Sequence, residues 1–140
     1  MTIGYTAGVF DLFHIGHLNI LKRAKEQCDY LIVAVSTDAL VQEYKHRTPV
    51  IGYEERMEIV KSIRYVDEAV PQVNRDKFAA WKKYRFNKMF VGDDWKGSPL
   101  FRAVEQQFRE VGVEVVYFPY TKVTSSTLLK ETLARISRER

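Results

Sequence analysis

The chain has 140 residues, 46% of them hydrophobic and 29% charged, which is the size of one domain with one core and an ordinary globular composition rather than a disordered one. A net charge of +4 points to anionic ligands, but the cations are scattered, which suits a small polyphosphate better than a nucleic-acid groove. No apolar run approaches a membrane span, no basic-then-apolar leader opens the chain, and Cys28 is the only cysteine, so a cytoplasmic protein without an internal disulfide is expected.

The periodicity alternates between strand and helix. Ile3 to Ala7 reads as a strand. His17 to Gln27 reads as a helix, with Leu18, Leu21 and Ala24 at helical spacing. Tyr30 to Ser36 is nearly all apolar and rich in β-branched residues, so it reads as a strand buried on both faces. Residues 42–52, with Pro49 and Gly52, read as a loop. Tyr53 to Ser62 is a helix, acidic at Glu54-Glu55 and basic at Lys61, in line with the helix dipole. A short strand at 68–70 is ended by Pro71, and a helix runs over 76–84. Lys88 to Gly92 is a strand, and 100–111 a helix closed by Gly112. Val113 to Phe118 is the last strand. The final helix runs from about Ser125 or Ser126 to Arg138, capped by Thr124 or Ser125.

With no repeat, linker or low-complexity tract, residues 1–140 form a single domain. Alternating buried strands and helices imply an α/β, doubly wound parallel sheet. Ligands of such sheets bind beyond the carboxyl ends of the strands. Three loops should meet there, carrying His14 and His17, Asp93 to Trp95, and Thr121 to Thr127.

Two of the chain's three histidines, His14 and His17, stand three apart at a helix start. At that spacing both imidazoles can face one way. The free N–H groups of the helix start add to an anion site. Preorganised donors of this kind stabilise the equatorial charge of a phosphorus centre under attack, and Gly16 permits close approach of a ligand. A zinc pair is the rival reading, although no cysteine or acidic pair completes a tetrahedral site. Two capping histidines are the plain structural alternative. In Tyr120-Thr-Lys-Val-Thr-Ser-Ser-Thr127, hydroxyls and helix-start amides could cradle phosphates, or simply cap a helix. Gly92-Asp-Asp-Trp95 could recognise a base, or could be a turn. Lys45 and Arg47 could close over phosphates from a polar loop, or remain solvated; Arg56 and Arg64 lie on or beside a helix, where a structural role fits them.

Together these segments resemble a known family. Gly8-Val-Phe-Asp-Leu-Phe-His-Ile-Gly-His17 is similar to the signature turn of the nucleotidyltransferase, or cytidylyltransferase-like, superfamily. Ser36-Thr-Asp38, Ile63-Arg-Tyr-Val-Asp-Glu68, Gly92-Asp-Asp-Trp95, Val115-Val-Tyr117 followed by Pro119, and Ser125-Ser-Thr127 resemble the glycerol-3-phosphate cytidylyltransferases within it. The resemblance covers nearly the whole chain and implies a Rossmann-like nucleotidyltransferase fold. It implies an enzyme that joins CTP to a small phosphorylated alcohol, foremost glycerol 3-phosphate, giving CDP-glycerol and pyrophosphate for cell-surface polymer synthesis. Other acceptors, adenylyl transfer, or an inactive nucleotide-binding regulator are the alternatives.

By the same resemblance His14, His17 and Lys45 carry catalysis. Val9, Phe10, Ile15, Gly16 and Arg47 join the histidines around the nucleotide. Tyr120, Thr121, Lys122, Val123, Thr124, Ser125, Ser126 and Thr127 wrap it, with Arg64 and Asp94 toward the base or holding the site together. Lys45 and Lys77 would hold the acceptor. Mg²⁺ would enter with CTP, no protein metal site is implied, and a homodimer with residues 64–68 near its contact is expected. Neither nucleic acid nor a membrane is an expected partner. Three positions depart from the family pattern. Val9 stands where a hydroxyl is usual, Thr124 where an apolar residue is usual, and Tyr120 where an arginine is usual; tyrosine cannot supply that charge, and Lys122 is the nearest cation to replace it.

Overall fold

The structure, a computed structural model, describes residues 1–119 and 126–139. Five parallel strands, β1 (Ile3–Gly8), β2 (Tyr30–Ser36), β3 (Glu68–Gln72), β4 (Lys88–Gly92) and β5 (Glu114–Phe118), form one sheet in the order β3-β2-β1-β4-β5. The helices are α1 (Ile15–Glu26), α2 (Asp38–Lys45), α3 (Tyr53–Lys61), α4 (Lys77–Tyr84), α5 (Pro99–Glu110) and α6 (Ser126–Glu139), with a 3₁₀ turn at Asp93–Trp95. This is the expected doubly wound, Rossmann-like arrangement.

Alternation along the strands divides the core in two. Tyr5, Ile32, Ala34, Val70 and Met89 face α4 and α5, which bring Phe78, Phe101, Val104 and Phe108. Leu31, Val33, Val35, Phe90 and Phe118 face the other way, onto Leu21 and Ala24 of α1 and Val60 of α3. Both faces of β2 are therefore covered, which is why its sequence is apolar throughout. In α5, Ser98 caps the first turn with its hydroxyl accepting from the Phe101 N–H, Pro99 fits that turn, and Gly112 follows at φ 78°.

Two expectations fail locally. Residues 42–45 are not loop, because Thr37 caps a helix that runs to Lys45; its Oγ1 accepts from the Leu40 N–H at 3.2 Å. Nor does Pro71 end the third strand. β3 is an edge strand paired only to β2, so a residue without an N–H is tolerated there and pairing runs on to Gln72. The switch point lies between β1 and β4: the chain leaves β1 toward β2 on one side and later crosses to β4 on the other. A ligand crevice belongs above the carboxyl ends of these two strands.

Candidate active site

The turn from β1 into α1 is built around strain and burial. Phe10 and Leu12 adopt left-handed φ of 56° and 49°, a region disfavoured for residues with side chains. Burial of the Phe10 ring holds the turn: it lies 6.3 Å from Phe13 and 5.5 Å from His17. Between the two left-handed residues, Asp11 is 2% exposed. Its carboxylate accepts from the N–H groups of Val50 at 2.8 Å and Ile51 at 2.9 Å, and pairs with Lys130 of α6 at 2.8 Å. Ser126 donates its hydroxyl to the Asp11 carbonyl at 2.7 Å. One buried acid thus ties the turn, the 46–52 loop and α6 together. Burial alone would raise its carboxyl; the Lys130 ammonium and the Ile51 and Val50 amides outweigh that and hold it low, so it stays ionised.

The two histidines form a reciprocal cap on α1. His14 Nδ1 accepts from the Gly16 N–H at 3.0 Å, and His17 Nδ1 accepts from the His14 N–H at 3.2 Å. With Nδ1 occupied as an acceptor on both rings, the neutral imidazoles carry their protons on Nε2. The rings lie 4.0 Å apart, and Phe13, 5.2 Å from His17, helps lock that ring. Burial lowers both pKa values. That of His17 falls to about 4, with His14 adding to the fall and Asp11 opposing it. At neutral pH the pair therefore offers two uncharged N–H donors, and no acid in α1's first turn competes for an anion there. Capping and anion binding are compatible: the cap uses Nδ1 and does not involve Nε2.

A cavity of about 660 Å³ opens at the switch point. His17, Val9, Phe10 and Asp11 line it from the turn; Lys45, Arg47 and Tyr44 from α2 and the loop after it; Arg75 and Lys77 from the start of α4; and Ser126, Thr127 and Lys130 from α6. Trp95, Phe101 and Val104 close its α5 side. Gly92, Trp95 and Thr127 thus share one cavity with His17, the described part of the three-loop expectation; Asp93 is not in the lining, and residues 121–125 lie outside the described residues. His14 stands beside His17, outside the lining; Gly16 is buried in the cap, and Ile15 points outward. Arg64 is exposed and outside the lining, donating to the Tyr65 hydroxyl at 2.9 Å. Tyr120, Thr121, Lys122, Val123, Thr124 and Ser125, together with the N-cap of the last helix, lie outside the described residues, as does the Asp94 side chain.

Arg56 is fully buried and structural. Its guanidinium donates to the carbonyls of Ile51 (2.8 Å), Val9 (2.7 Å) and Ser36 (2.8 Å), and to Asp38 Oδ1 at 2.6 Å. Asp38 Oδ2 in turn accepts from the Tyr53 N–H at 3.2 Å, at the start of α3. Asp11, Lys130 and Tyr44 are lining residues to which sequence reasoning gave no role, and Arg75 one that it counted only among the scattered cations. One signal for Asp11 was available: it is the only acid before Glu26. Lys130 and Tyr44 carried no local signal, because only the fold brings them to this edge.

The chain matches the model of a family described as cytidylyltransferase-like over residues 5–132. It is 40% identical over 130 residues to the glycerol-3-phosphate cytidylyltransferase of Bacillus subtilis (strain 168), covering 92% of this chain and 95% of that protein. Over 134 residues it is 36% identical to the FAD synthase of Pyrococcus abyssi (strain GE5 / Orsay), covering 94% and 84%. Among solved structures, the lipopolysaccharide core biosynthesis protein from Thermoplasma volcanium GSS1 superposes with a TM-score of 0.72 at 22% identity, covering 89% of this chain and 99% of that one. That last likeness is one of fold.

Proposed function

We propose a cytidylyl-transfer reaction for this chain, which belongs to the cytidylyltransferase-like family: CMP passes from CTP to a small phosphorylated alcohol, foremost glycerol 3-phosphate. The carrying observation is the fixed tautomer pair. His14 and His17 give up Nδ1 to the cap and keep Nε2–H as donors at an anion-favouring helix start, beside a cavity at the switch point.

In this reading an oxygen of the acceptor's phosphate attacks the α-phosphorus of CTP. A new P–O bond forms, the bond to the β-phosphate oxygen breaks, and pyrophosphate leaves. The two Nε2–H groups and the α1 amides meet the negative charge that builds on the phosphoryl oxygens. Arg47 faces the triphosphate, while Lys45 and Lys77 hold the acceptor. Magnesium would come with the triphosphate, where it would neutralise part of its charge. Of the acids lining the cavity, Asp11 is committed to two amides and Lys130, and Asp76 gives one oxygen to the cap of α4, accepting from the Ala79 N–H at 3.0 Å. The proposal includes a homodimer that meets near residues 64–68, where Arg64 stands exposed, and a site of action in the cytoplasm.

The test is pyrophosphate release from each of four nucleoside triphosphates, with and without glycerol 3-phosphate. Release should need CTP and the acceptor together. Equal turnover with ATP would remove the cytidine assignment. The likeness to an FAD synthase keeps adenylyl transfer as a second reading, and ATP with a phosphorylated flavin in the same assay decides for or against it.

A further inference from the structure

Tyr44, Lys45, Arg75 and Lys77 converge on one wall of the cavity from the end of α2 and the start of α4. The Arg75 guanidinium lies 4.4 Å from the centre of the Tyr44 ring, and the Lys45 ammonium 5.6 Å from the same ring. One aromatic ring therefore lies within cation–π reach of two cations from different segments. Among the described residues, none of Lys45, Arg75 and Lys77 has an ion-pair partner. Asp76, the nearest acid in sequence, spends its Oδ1 on the cap of α4. The cations outnumber the acids that line the cavity beside them, Asp11 and Asp76, so the wall carries an excess of positive charge that an anion would answer.

The mutual effect is visible in the lysines. Burial lowers Lys77 to about 8, with Arg75 adding to the fall. Burial also lowers Lys45, with Arg47, Lys130 and Arg75 adding and Asp11 opposing. Arg75 is thus within electrostatic reach of both lysines assigned to the acceptor.

We propose that Arg75, positioned by the Tyr44 ring, is a third ligand for the acceptor's phosphate and, with Lys45 and Lys77, selects acceptors that carry no positive charge near that phosphate. The inference rests on the acceptor roles given above to Lys45 and Lys77. Its consequence concerns substrate class. A phosphorylated polyol is neutral beyond its phosphate and meets only attraction. In phosphocholine or phosphoethanolamine a cationic head sits two carbons from the ester oxygen, inside the field of three cations. The clamp therefore excludes that class while tolerating changes in polyol length.

Steady-state kinetics on the full chain test this, with acceptor and CTP varied in turn. Arg75→Ala should raise the acceptor KM about tenfold, leave the CTP KM within about twofold, and narrow the preference for glycerol 3-phosphate over phosphocholine. Arg75→Lys should recover part of the loss, and Tyr44→Leu should shift the acceptor KM in the same direction by less. A rise in the CTP KM alone, unchanged kinetics in Arg75→Ala, or a wild type that prefers phosphocholine would overturn the proposal. Absence of turnover with every phosphorylated alcohol would instead defeat the reading beneath it. Calorimetric titration with inorganic phosphate then still decides the clamp: it stands if Arg75→Ala binds phosphate several-fold more weakly, and falls if the two bind alike.

Discussion

His17 shows how one side chain can serve scaffold and chemistry together. Its Nδ1 belongs to the helix cap and its ring to the packing of Phe10 and Phe13, so its Nε2 is aimed without freedom to turn. His14→Ala or His17→Ala should cut kcat by about two to three orders of magnitude, the scale of a lost transition-state donor. The circular dichroism spectrum should stay native, and near-wild-type turnover in either variant would end the assigned role. Acidity should also be felt in stability. The folded pKa of His17 is about 4 against 6.5 for the free side chain. Between those values the unfolded chain binds more protons, so unfolding becomes easier as pH falls through that window. Urea midpoints should fall between pH 6.5 and pH 4, and by less in His17→Ala; an equal fall in both would place the effect elsewhere. The histidine spacing and the glycine between them were legible in the sequence, because they are local; the helix itself begins at Ile15, two residues before the expected His17. The tautomers were not, since they depend on which nitrogen the backbone amides reach.

At the scale of elements, Arg56 joins what periodicity could not. Its bonds to Val9, Ser36, Ile51 and Asp38 tie the ends of β1 and β2 to the starts of α2 and α3. Arg56→Lys keeps the charge but cannot span four acceptors, and it should destabilise the fold by on the order of 3 kcal/mol. Thermal and chemical unfolding would check this, and a loss below about 1 kcal/mol would mean that the network is dispensable. The sequence showed Arg56 only as a cation on or beside a helix; its burial follows from the crossing of four segments. The strands were legible because a sheet covered on both faces demands long apolar runs. Helix α2 was not, because only its first half is buried, at Leu40 and Val41, and its polar second half reads like the loop that follows.

Across the whole molecule, the parallel sheet with its switch point between β1 and β4 puts the residues proposed for the nucleotide and those proposed for the acceptor on one edge. The proposed acceptor wall was legible only in part: the resemblance pointed to Lys45 and Lys77, but Tyr44 and Arg75 come from separate segments, and no single stretch reports that the four meet. In the proposed reaction an acceptor phosphate oxygen attacks the α-phosphorus of CTP in this cavity. That attack is tested most directly with glycerol 3-phosphate fully labelled with ¹⁸O on its phosphate, followed by mass spectrometry of both products. CDP-glycerol should keep all of the label, and pyrophosphate should carry none. Label in the pyrophosphate, or no CDP-alcohol at all, would contradict the account.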